Sequence, residues 1–130
     1  MPHIDLTLSG TRDALLGKEA VGIVHRLTAE ILGKAPELMA TTVRYVHEQD
    51  WFIAGQSLLE TGGSAFRLDI SITDETNTKA QKARFIQAVY DALAHLRPNS
   101  ALCSYVHLID ARAAAYGYGG RTQEWRHQHG

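Results

Sequence analysis

The 130-residue chain predicts an α+β fold: two strand–helix–strand units that together form one four-stranded sheet with both helices on a single face. Three observations predict it. Strand and helix periodicities follow one another in the same order twice. Short stretches of the first half return in the second: IDLTL as LDISI, RYVH as SYVH, and DWFIAG as AYGYGG. In each half a helix-length segment separates the strands, which is the crossover that parallel neighbours require and is right-handed by rule.

From His3 to Leu8 the residues alternate, with Ile4, Leu6 and Leu8 on one face and His3, Asp5 and Thr7 on the other. That pattern is a half-buried strand. SGTRD follows as a turn in which Asp13 or Thr11 can cap a helix. Ala20, Ile23, Val24, Leu27 and Ile31 then fall at helical spacing, and Gly33 supplies the C-terminal cap. After the connector KAPEL, TTVRYVHE reads as a second strand and DWFIAGQS as a short hairpin. TGGS is the joint between the halves.

The second half replays this order. FRLDISIT alternates as a strand. Thr76 to Leu96 carries Phe85, Ile86, Val89, Tyr90 and Leu93 on one helical face, and Pro98 stops it. CSYVHLID is the fourth strand, followed by AYGYGG as the second hairpin. The repeats are expected over residues 2–60 and 65–120 of a single domain, with a polar tail over 121–130. One uncovered sheet face and two exposed edges make an oligomerisation surface.

Composition narrows the function classes. Hydrophobic content of 45% with 21% charged residues is ordinary for a soluble domain. A formal net charge of −1 gives no reason to expect nucleic acid or an acidic membrane as partner. One cysteine, Cys103, excludes an internal disulfide and suits a reducing compartment; it is expected to be a small core residue in a strand. The N-terminal stretch lacks a basic segment followed by an apolar one, so no signal peptide is expected, and the expected location is the cytoplasm.

Pro2 admits two readings. It is a rigid strand start, tolerated there because the first residue need not donate to the sheet. Alternatively, removal of Met1 before a small residue exposes a secondary amine that can act as a base. The second half cannot share that property, since its strand begins mid-chain at Phe66.

With Pro2 heading the first strand, Arg12 in LSGTR, Arg44 in TVRY and Trp51 in DWFIAG, the chain resembles the 4-oxalocrotonate tautomerase family, within the superfamily that includes macrophage migration inhibitory factor. Two units in one chain make it resemble a fused, long-form member. The resemblance implies a cofactor-independent, metal-free isomerase that assembles as a homotrimer and acts on a small carboxylic acid of the 2-hydroxymuconate type. It implies Pro2 as general base and then acid, Arg12 and Arg44 as carboxylate binders, and Trp51 as a pocket wall. A neighbouring chain is a possible source of one arginine. The positions matching Arg12 and Arg44 in the second half fall near Thr76 or Asn77 and near Ser104 or Tyr105, so one active site per chain is expected.

The chemistry is consistent with those residue types. A free α-amine titrates near pH 8, leaving only about a tenth as free base at neutrality. Apolar walls and nearby arginines disfavour its protonated form. A midpoint lowered to about 6.5 requires roughly 2 kcal/mol of differential interaction and leaves about three quarters as free base. Arginine holds carboxylates with a planar fork that stays charged.

Other residues have plainer readings. His47 and His107 occupy matching repeat positions and suit strand packing or an interface. His127 and His129 lie in the tail, Lys18 and Lys82 face solvent, and Tyr105 and Tyr116 pack by default but are within reach of a pocket. The alternatives to a tautomerase are a dehalogenase or decarboxylase of the same superfamily, or a non-catalytic partner-binding protein that retains Met1. The first two carry an arginine pair early in the second half, where this chain reads TDETNTKAQKAR with Lys79 as its first basic group.

Overall fold

A computed structural model describes residues 2–130. Met1, and with it the question of its removal, lies outside the described residues. Strand β1 (His3–Ser9) leads through the Asp13 cap into helix α1 (Ala14–Leu32), where the Asp13 carboxylate accepts from the Leu16 amide at 3.1 Å. Gly33 ends the helix in the left-handed region (φ 69°). Strand β2 (Ala40–Val46) follows, then the hairpin β3 (Phe52–Ile53) and β4 (Gln56–Ser57), and the short helix α2 (Leu58–Thr61). The second unit comprises β5 (Phe66–Thr73), α3 (Lys79–Ala94), β6 (Tyr105–Ala111), the hairpin β7 (Gly117–Tyr118) and β8 (Arg121–Thr122), and α4 (Gln123–His129).

The sheet order is β2-β1-β5-β6. β1 runs parallel to β2 and β5 parallel to β6, whereas β1 and β5 meet antiparallel. Asp5 stands opposite Asp69, and each is the repeat counterpart of the other, so an internal two-fold axis passes between them. Ile4, Leu6 and Leu8 with Phe66, Leu68, Ile70 and Ile72 face the helices and are buried against Val24, Leu27, Phe85 and Val89. Burying each such side chain contributes roughly 1.5–3 kcal/mol. Gly17 makes room for a β2 side chain: a Cβ there would collide with the Tyr45 hydroxyl, which donates to the Asp13 carbonyl at 2.7 Å.

The helix-free face is polar. Like charges placed directly opposite in a sheet are unfavourable, and each member of the Asp5–Asp69 pair is compensated. Thr42 donates to Asp5, and the Arg67 guanidinium lies 3.3 Å from Asp69.

Several expectations require correction. The second helix spans Lys79–Ala94, capped by Thr78 and Gln81, and is shorter at both ends than the Thr76–Leu96 pattern. Its carbonyls find caps before Pro98 is reached, with the His95 amide donating to Asp91. Ile86 remains 40% exposed because α3 turns only Phe85, Val89 and Leu93 inward. Cys103 is exposed and precedes β6. Lys82 pairs with Asp110 at 2.8 Å.

His47 and His107 are not equivalent. His107 stands opposite Asp69, the position that Thr42 holds opposite Asp5. By the same register Arg44, opposite Thr7, corresponds to Ile109, opposite Ser71. The similarity of RYVH and SYVH therefore reflects strand composition and not structural register. Gln123–His129 is helical, and α4 follows β8 as α2 follows β4.

Candidate active site

Pro2 is buried at the entry of β1. Arg12 lies in the turn beyond the far end of that strand, bordering a hollow with Asp13, Glu48 and Arg97. Seven strand residues separate the two ends, which at the usual rise is about 20 Å. Arg44 is exposed on the helix-free face of edge strand β2, level with Thr7. Trp51 enters the first hairpin and, with Phe52, Phe66, Arg67 and Tyr105, lines a hollow of about 330 Å³. Within one chain, therefore, Arg12 and Trp51 gather at the Phe66 end of the sheet and Pro2 stands at the other.

Arg67 is the cation of the Trp51 hollow, and the sequence analysis did not single it out. Its alternation with buried Phe66 and Leu68 was the available signal. At the same end, Arg97 bridges the two halves by donating to the Ser9 carbonyl at 2.5 Å and the Ala65 carbonyl at 2.9 Å. Burial lowers its pKa, opposed by the charges of Glu48 and Asp13.

The Pro2 end is furnished by the second half. The antiparallel register pairs His3 with Ser71, which continues to Pro2 beside Ile72. The next residue, Thr73, shares a 2.7 Å hydrogen bond with the Tyr116 hydroxyl at the start of the second hairpin. Burial raises the Tyr116 pKa, and the bond to Thr73 lowers it in part. Thr76 Oγ1 donates to the Thr73 carbonyl at 2.6 Å and accepts from Lys34 Nζ at 2.8 Å. Burial lowers the Lys34 pKa. A cavity of about 590 Å³ opens beside Thr73, lined by Asp74, Gln123, Arg126 and His127. Nothing in the sequence joined Lys34, Thr73 and Thr76: Thr73 ends the FRLDISIT alternation, Thr76 opens the second helical pattern and Lys34 follows the first, and they meet only through the packing of the units.

This end thus combines a strand-terminal proline, a half-buried ammonium and a phenol. Given a free imino group, such a set can move a proton and hold an anionic oxygen. Among the described residues no group of three or more His, Cys, Asp or Glu side chains stands close enough to hold a metal ion. No described helix is long and apolar enough to cross a membrane.

The fold and this arrangement define a class: a tandem βαβ protein with a proline at the head of an inner strand. No protein-family model matches the chain, and no curated protein matches it in sequence. Solved structures match over nearly the whole chain. Native fused 4-OT superposes with a TM-score of 0.76 at 17% identity, covering 95% of this chain and 97% of that one. A protein designated Pt0534, solved after inactivation by 2-oxo-3-pentynoate, gives 0.82 at 14% identity over 95% and 98% of the two chains. FG41 malonate semialdehyde decarboxylase, inhibited by 3-bromopropiolate, gives 0.74 at 14% identity over 97% and 95%. The chain has the fold of the tautomerase superfamily, in the fused form that carries both βαβ units in one polypeptide.

Proposed function

We propose that the protein is a cofactor-independent tautomerase in which the Pro2 imino nitrogen carries a proton between the enol oxygen and a carbon of a 2-hydroxymuconate-like acid. The observation that carries this reading is Pro2 itself, buried at the head of an inner strand of a fused tautomerase fold. It is supported by the burial of Pro2, which disfavours a protonated amine, and by the Lys34 ammonium hydrogen-bonded to Thr76 at the same end of the sheet. Arg12, Arg44 and Trp51 serve as carboxylate binders and pocket wall. Because Arg12 and Trp51 lie far from Pro2 in their own chain, they reach a proline only from a neighbouring copy. The proposed assembly is a trimer, the state in which other fused 4-OT proteins were solved.

Ketonisation of 2-hydroxymuconate by the wild type and by Pro2→Ala tests the reading. The variant is expected to lose at least about 100-fold in kcat, the usual scale for removing a general base. Equal rates would eliminate Pro2 as the base. Intact-mass measurement of the purified chain accompanies the assay, because a retained methionine would make the Pro2 nitrogen an amide and favour the partner-binding reading.

A further inference from the structure

We propose that the Tyr116 hydroxyl is the hydrogen-bond donor for the substrate oxygen at Pro2, so that the second hairpin of the same chain completes the proline hollow. The inference rests on the tautomerase reading and adds a residue to its site.

The internal two-fold carries it. Leu8 stands opposite Phe66 across β1 and β5, and rotation about the Asp5–Asp69 axis maps that pair onto Ile72 and Pro2. Whatever the first half places beside Phe66, the second half therefore places beside Pro2. The first hairpin places Trp51 beside Phe66. Its counterpart in the second hairpin is Tyr116, and the two are anchored alike: the Leu58 amide donates to the Trp51 carbonyl at 3.0 Å and the Gln123 amide to the Tyr116 carbonyl at 2.9 Å.

A direct contact agrees with the symmetry. The phenol is tied at 2.7 Å to Thr73, one residue beyond the level of Pro2. Either hydroxyl can donate in this bond, and in both arrangements Thr73 holds the phenol in place and acts as a positioning residue. A raised pKa keeps the phenol protonated at neutral pH. Phe66 offers no amine and Trp51, at the position matching Tyr116, no hydroxyl, so the opposite hollow lacks the base and its Tyr105 phenol stands at a different position.

The step balances without another reactant. Pro2 nitrogen takes the enol proton, the O–H bond breaks, and the electron pair passes into the dienolate. The protonated nitrogen then delivers that proton to carbon, forming the C–H bond and regenerating the free amine. Tyr116 keeps its own proton throughout and stabilises the oxygen on which charge develops, as a preorganised donor does.

The test compares wild type, Tyr116→Phe and Thr73→Val in two assays: 2-hydroxymuconate ketonisation, and alkylation of Pro2 by 3-bromopyruvate followed by mass. Tyr116→Phe is expected to lose about 100-fold in kcat with KM changed less than about threefold, while Pro2 is alkylated at the wild-type rate. Thr73→Val is expected to lose about tenfold in kcat, as a displaced donor would. A Tyr116→Phe kcat within twofold of wild type would overturn the inference and leave the tautomerase reading standing. A kcat loss matched by equal loss of Pro2 alkylation would also overturn it, by showing that the phenol only holds the fold. A wild type that neither ketonises nor is alkylated would overturn the tautomerase reading and this inference with it.

Discussion

If Pro2 and Arg12 serve one active site from different chains, two dead variants should rescue each other. In a single chain the two residues sit beyond opposite ends of the seven-residue β1, about 20 Å apart along the strand, which no side-chain movement closes. Pro2→Ala exchanges the rigid secondary amine for a flexible primary one and is expected to disable the base. Arg12→Ala removes a charge-assisted contact worth about 1.5–3 kcal/mol, or roughly 10- to 150-fold in activity. When equal amounts of the two variants are unfolded together and refolded, chains assort at random. A site needs an intact proline from one chain, with probability about one half, and an intact arginine from its neighbour, again about one half. The mixed assembly should therefore show about one quarter of wild-type kcat, well above either parent. Activity no greater than the mean of the two parents would refute a shared site and assign carboxylate binding to groups at the Pro2 end of the same chain.

Two further outcomes concern the scaffold. Leu68 is fully buried on a central strand between Leu6 and Val106, where neighbours on both sides prevent collapse. Leu68→Ala should cost about 3–5 kcal/mol, and Leu102→Ala, at a side chain 87% exposed, less than about 0.5. Urea denaturation at one fixed protomer concentration measures both, and similar losses would contradict the assigned core. His25, half-buried and 2.6 Å from the Thr41 hydroxyl, has its pKa lowered from 6.5 by burial. Its contribution to stability is complete above 6.5 and is lost as pH falls through the lower folded value, because the unfolded state then binds the extra proton. The denaturation midpoint should drop between pH 7 and pH 5, and His25→Gln should make that drop shallower; an unchanged slope would remove His25 as a cause.

The alternation in β1 and β5, the helical spacing ending at Gly33 and the two glycine-bearing hairpins were all legible in the sequence. Each depends on local periodicity or on a turn that needs positive φ, as at Gly55 (80°) and Gly120 (78°). Pro2 was legible as the start of the first strand, and its proposed amine chemistry rests on residue type and not on the fold. Which ends of the units meet was not legible. The antiparallel β1–β5 contact depends on burial shared by two segments over sixty residues apart, and IDLTL is equally compatible with either direction of pairing. That one contact separates Trp51 from Pro2 and brings Tyr116 to the proline end. The sequence by itself determined the repeating units and their apolar faces, because periodicity is written residue by residue. Only the tertiary structure decided which hairpin faces which strand end, because that follows from how two finished units bury their common surface.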